Sequence, residues 1–177
     1  VTFAIWDDEE AAARARHHQS LRRFDHGFGA VLHPIRAFGT WPGLPEDVPR
    51  SRATPHDGPV MVLTLGRLRL GQTIRFFRAS RPAERAAIAA DGFLWGTAAA
   101  RPPFVATVSI WRDGEAAAAY AYERGNAGHP RAIAAQRHKD FHHRSAFIRF
   151  APTQIHGALE GPNALGPDTV ARSRATG

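Results

Sequence analysis

The sequence contains no cysteine. That absence excludes disulfides, cysteine-ligated zinc, iron–sulfur clusters and thiolate-bound haem. Lysine is nearly missing as well: Lys139 stands alone, and the remaining cationic side chains are arginine. No apolar run approaches the roughly 20 residues of a membrane-crossing helix. No secretory leader pattern opens the chain, so the expectation is a soluble, cytoplasmic protein. There is no phosphate-binding glycine-rich loop, no dinucleotide fingerprint and no Ser-His-Asp order. The one short glycine-bounded stretch, Gly125 to Gly128, reads as a helix break.

What remains is an ordinary globular composition, 177 residues with a 44% hydrophobic share, enough for one domain or two small ones. The formal net charge of +7 suits a nucleic acid, an anionic membrane surface or an acidic protein partner. No arginine cluster interleaved with aromatics falls on one predicted face, so nucleic acid is not expected, while peripheral membrane contact stays open.

The informative feature is a repeat. "VTFAIWDDEEAAA" opens the chain and "ATVSIWRDGEAAA" begins at Ala106; a shift of 105 positions lays Thr2 on Thr107, Trp6 on Trp111 and Asp8 on Asp113. Each copy is a β-branched and aromatic run of strand length followed by acids and then alanines. Asp8 and Asp113 are placed to cap the helices that follow, with Glu10 and Glu115 in the favourable first turn. A second echo follows at a shift of 118, laying Pro34 on Pro152 and Gly39 on Gly157. A unit of strand, helix, strand and glycine-rich exit is used twice.

Between the copies, Gly43 to Pro59 is rich in proline and turn residues and reads as a connector. Val60–Leu68 reads as a strand. Helical spacing follows over Gln72 to Ala90, with Pro82 expected to split it into two short helices. Strands are expected at Phe93–Ala99 and Phe104–Trp111, helices at Asp113–Arg124 and Pro130–His143, and a last strand at Ala146–Pro152. The second copy is then β-α-β-β-α-β, the ferredoxin-like pattern, and the first copy supplies only its final strand–helix–strand.

The fold class is accordingly α+β, tandem ferredoxin-like repeats of the α+β barrel type with the first repeat incomplete at its N-terminus. The expected divisions are 1–43 for the partial first repeat, 44–59 for the linker, 60–161 for the complete second repeat and 162–177 for a loose tail. A half unit leaves sheet edges and an apolar face uncovered. Either further N-terminal residues or a homodimer is expected to cover them.

Several stretches resemble the spheroidene monooxygenase family of acyclic carotenoid 2-ketolases. They are Ser109-Ile110-Trp111-Arg112-Asp113, His129 with Ala132-Ile133, Phe147-Ile148-Arg149-Phe150, Leu63-Thr64 and Arg75-Phe76-Phe77. The likeness runs over nearly the whole chain. It implies a haem-dependent monooxygenase that takes O2 and electrons from a reduced ferredoxin and oxygenates C-2 of an apolar carotenoid. In the alternative reading the same barrel works without a cofactor, or only binds an apolar ligand.

Without cysteine, haem iron calls for an imidazole, or less often Tyr or Met. The resemblance places His129 as the axial ligand; as a residue before Pro130 it reads equally as a helix cap. His138 and His142 stand at i and i+4, a spacing that chelates metal on a helix and equally describes a solvated face. Arg149 suits a haem propionate, held bidentately, or a surface ion pair. Trp6 and Trp111 read as core.

Overall fold

The computed structural model describes residues 2–4, 6, 8–16, 18–19, 27–51, 56–122 and 141–159. Among them, five strands form one antiparallel sheet: β1 (Gly29–Gly39), β2 (Val60–Leu68), β3 (Phe93–Arg101), β4 (Phe104–Trp111) and β5 (His142–His156), in the order β1-β5-β2-β4-β3. The helices are α1 (Glu9–Arg16), α2 (Thr73–Ile88) and α3 (Gly114–Tyr122). From β2 onward the unit is β-α-β-β-α-β with its first strand between the third and the fourth. This is the ferredoxin-like topology expected for the second copy.

β1 closes the first copy and pairs with β5, which closes the second. The register of that ladder carries the repeat. The shift of 118 turns His33↔Ala151 into itself, Arg36↔Arg149 into Val31↔Gln154, Ala37↔Ile148 into Ala30↔Ile155, and Phe38↔Phe147 into Gly29↔His156. The irregularities obey the same operation, since the ladder skips Ile35 on β1 and its counterpart Thr153 on β5. A local twofold axis therefore passes between His33 and Ala151. Pro34 lies in a strand that is bonded on one side only, and Pro152 lies beyond the last β2–β5 pair, Met61↔Phe150. Both prolines sit where a missing N–H costs no ladder bond.

The helices repeat as well. The Asp8 carboxylate accepts from the Ala11 amide at 2.6 Å, and the Asp113 carboxylate from the Ala116 amide at 2.7 Å. These are the same N-cap, 105 residues apart. Asp113→Ala should cost about 1 kcal/mol, read as a lower midpoint in urea unfolding. Asp113→Asn should restore most of it, because the amide oxygen still accepts.

Alternation in β2 sets the two faces. Val60 and Val62 pack with Trp111, Ala116, Ala117 and Tyr120 beneath the helices. Met61 and Leu63 face the other way, into a core with Val108, Ile110, Ala146, Ile148 and Phe150. The connector contributes Val48 to that second core, and Trp41 packs edge-on to Phe104 at 6.4 Å. The connector also runs along the outer edge of β1, where the Ala37 amide donates to Pro49 O at 2.9 Å.

Three expectations are corrected. Residues 2–4 and 6 are not in a strand. In the ferredoxin order their counterpart β4 pairs with β2, and among the described residues no strand stands in the equivalent place beside β1. Phe3 instead lies against Phe150, with ring centroids 5.4 Å apart. Pro82 does not split α2, which is continuous from Thr73 to Ile88. Pro82 and Arg78 are both exposed, so the carbonyl that the proline leaves unbonded lies on the solvent side of the helix, where it is open to water. Finally, His142 and His143 open β5 rather than close a helix. The edge of β2 extends to Leu68, opposite His142, and the Arg69 amide continues the pairing to Phe141 O at 2.8 Å.

Candidate functional site

The helix-side face of the sheet carries two adjacent rows of side chains running across all five strands. One is Phe38, Phe147, Thr64, Thr107 and Ala98; the other is Arg36, Arg149, Val62, Ser109 and Gly96. With neighbouring strands about 4.8 Å apart, each row is roughly 20 Å long.

The first row is open. Phe38, Phe147, Thr107 and Ala98 are exposed and Thr64 half-exposed, although Phe147, Thr64 and Thr107 lie on the three interior strands of the sheet. Among the described residues, α2 has none that is buried, and the alanine-rich α3 packs on the end of the face where Trp111 lies. Tyr120 stacks on Trp111 at 5.0 Å and donates its hydroxyl to Ala83 O at 2.8 Å, tying α3 to α2. Burial pushes the Tyr120 phenol up to about 12, so it stays a donor at any physiological pH.

At one end of the second row, Arg36 and Arg149 are cross-strand neighbours with only 8% and 7% exposure. Arg36 donates from Nε to Ser51 O at 2.7 Å, and its guanidinium lies 6.0 Å from the Tyr122 ring centroid. Arg149 reaches Gly114 O at 3.5 Å, a long contact. No carboxylate pairs with either among the described residues. Burial holds the Arg149 guanidinium below its ordinary value, the Arg36 charge pushes the same way, and Tyr122 opposes both.

Toward the other end of the strands lies His142. A Cβ on Gly66 would stand 2.6 Å from its Cδ2, so the bare backbone of β2 is the imidazole's seat. Phe76 of α2 meets that ring edge-on at 5.3 Å. Gly66→Ala should evict the ring, seen as a shifted His142 imidazole signal in NMR together with lower stability. Unmoved His142 resonances would show the seat to be wrong.

Of the residues singled out in the sequence, Arg149 and His142 thus share one face, with Arg149 buried and in no ion pair among the described residues. The i, i+4 helical pairing of His138 with His142 does not hold, because His142 is in a strand. His129 and His138 lie outside the described residues. Arg36 was missed. Among the described residues no group of three His, Asp or Glu side chains is arranged to hold a metal, and no helix is long and apolar enough to cross a bilayer.

No family model and no curated protein sequence matches the chain. Solved structures do match in fold. A protein from Lactobacillus acidophilus assigned as a monooxygenase superposes with a TM-score of 0.50 at 11% identity, over 77% of this chain and 56% of its own. This chain therefore spans little more than half the length of that neighbour. SnoaB, a cofactor-independent oxygenase from Streptomyces nogalater, superposes with a TM-score of 0.40 at 14% identity, over 59% of this chain and 97% of its own. At these identities the likeness concerns the fold. The chain has the ferredoxin-like α+β architecture.

Proposed function

We propose that this chain is an oxygenase, or the greater part of one, acting on an elongated apolar substrate laid across the helix-side face. The observation that carries the reading is the open row from Phe38 to Ala98. It is roughly 20 Å long, floored by Phe, Thr and Ala, and sits where a folded sheet ordinarily buries its residues. A long apolar molecule laid on such a floor would need few polar groups to orient it. The fold shared with an assigned monooxygenase and the sequence resemblance to the spheroidene monooxygenase family support the same reading.

In its finer form the proposal is a haem-dependent monooxygenase that uses O2 and a ferredoxin-type donor to oxygenate C-2 of an acyclic carotenoid. The described residues fit haem in part. The buried N–H groups of Arg36 and Arg149 suit propionates, and His142 sets an imidazole on the same face. Haem, when bound, would supply oxygen activation. The proposed axial ligand remains His129.

Expression with ample haem, followed by visible spectroscopy and oxygen uptake with an acyclic carotenoid and reduced ferredoxin, tests this. A Soret band lost in His129→Ala, with ketone formation in the wild type, is the expected result. Colourless protein that oxidises a quinol-type substrate would transfer the reading to the cofactor-free alternative. Protein that binds carotenoid and oxidises nothing would leave only a binding function.

A further inference from the structure

We infer that Arg36 and Arg149 together form a binding site for the carboxylate of an apolar molecule. A buried guanidinium is costly unless its donors are met. Two side by side repel each other, and two guanidinium groups carry ten N–H donors. Among the described residues the acceptors they reach are two backbone carbonyls, Ser51 O at 2.7 Å and Gly114 O at 3.5 Å. Among the described residues the arrangement holds no anion.

The twofold repeat supplies an internal control. The axis at His33 and Ala151 carries the Arg36↔Arg149 pair onto Gln154↔Val31. The same place in the same ladder, beside an equivalent bulge, is thus built without charge. Nothing in the strand pairing requires arginine there. One arginine comes from each repeat, so the charge arose at one of two equivalent positions, which is expected when a ligand rather than the fold sets the residue.

A carboxylate matches the fork geometry of the two guanidinium groups. The adjoining row explains the rest of the ligand: Phe147 and Phe38 follow Arg149 and Arg36 on the same face, so a ligand anchored at the arginines continues onto apolar floor. The carboxylate can belong to a substrate or to the propionate of a bound haem; the chemistry is shared. This inference does not rest on oxygenase activity, because binding needs no oxidation.

The test is titration of the full chain with decanoate by calorimetry at constant ionic strength, beside decanol, inorganic phosphate, haemin and haemin dimethyl ester. Arg36→Gln and Arg149→Val install the residues that the equivalent positions already carry. Each should weaken decanoate binding roughly tenfold to a hundredfold, the loss of a charged hydrogen bond. Neither should lower the melting temperature, since like charges are being separated; a structural role would lower it. Decanol should be indifferent to both variants. If haemin displaces decanoate and its dimethyl ester does not, the natural carboxylate is a propionate; if decanoate survives haemin, it is a substrate's. Equal binding of decanoate and decanol, displacement by phosphate alone, or decanoate affinity unchanged in both variants would overturn the inference. An oxygenase that fails to turn over yet binds decanoate leaves this inference standing, and the reverse result leaves the oxygenase reading standing.

Discussion

Trp111→Ala should lower the stability of the protein by about 3–5 kcal/mol, the usual loss for a large aromatic cut from a core. Trp111 is 2% exposed. Its ring meets Phe93 edge-on at 5.4 Å and Tyr120 in a stack at 5.0 Å, and its indole N–H donates to Ser109 Oγ at 2.9 Å. It therefore joins β3, β4 and α3, and alanine would leave a void that none of these can fill by shifting alone. The repeat provides the control. Trp6 is the counterpart in the first copy, yet it is 45% exposed, and Trp6→Ala should cost well under 1 kcal/mol. Urea unfolding followed by far-ultraviolet circular dichroism reads both. Equal losses at the two tryptophans would mean that Trp6 is buried in solution and that the two copies are more alike than their described environments.

That contrast marks how far the sequence could be read. The helix of each copy and the strand of the second follow from period and capping, and β2 agrees with expectation at both ends, because a nine-residue apolar strand bounded by turn residues has little else to become. The shift of 118 held down to individual ladder pairs. What sequence similarity does not encode is environment. Trp6 and Trp111 sit in the same motif, but Phe93, which helps to bury Trp111, belongs to a part of the unit that the first copy does not show among the described residues. Thr2 to Trp6 has strand composition, but among the described residues no strand stands beside it, and a strand is a property of pairs.

The site was half legible. Arg149 stood out as a charge amid Phe147, Ile148 and Phe150, whereas Arg36 lies in an unremarkable stretch and gains meaning only from facing Arg149. The signal was available: two final strands with matched proline, bulge and glycine positions can pair about a twofold axis, and that pairing puts Arg36 opposite Arg149. His142 was misread because histidines four apart imitate a helical metal face, while its partner across the sheet, Leu68, is 74 residues away in sequence.

The repeat makes a last quantitative demand at its glycines. Gly39 and Gly157 are equivalent, and both take left-handed backbone, with φ of +83° and +67°. A Cβ on Gly39 would run into Ser145 O, and one on Gly157 would stand 2.5 Å from Gly27 O, residue 27 being the counterpart of residue 145. Neither obstacle is a side chain that can swing away, and Ser145 O also accepts from the Thr40 amide at 3.1 Å. Gly43 adopts the same backbone, with φ of +79°, but nothing lies within 4 Å of its Cβ position. Gly43→Ala should therefore cost only the left-handed conformation, about 1–2 kcal/mol. Gly39→Ala and Gly157→Ala should each cost that much and a further ~1–3 kcal/mol for the collision, by similar amounts. Denaturant midpoints for the three variants separate the two contributions. If Gly39→Ala were no worse than Gly43→Ala, the close approach of the two final strands would be looser than the ladder shows. If Gly39→Ala and Gly157→Ala differed widely, the twofold relation would hold for the backbone trace but not for its packing.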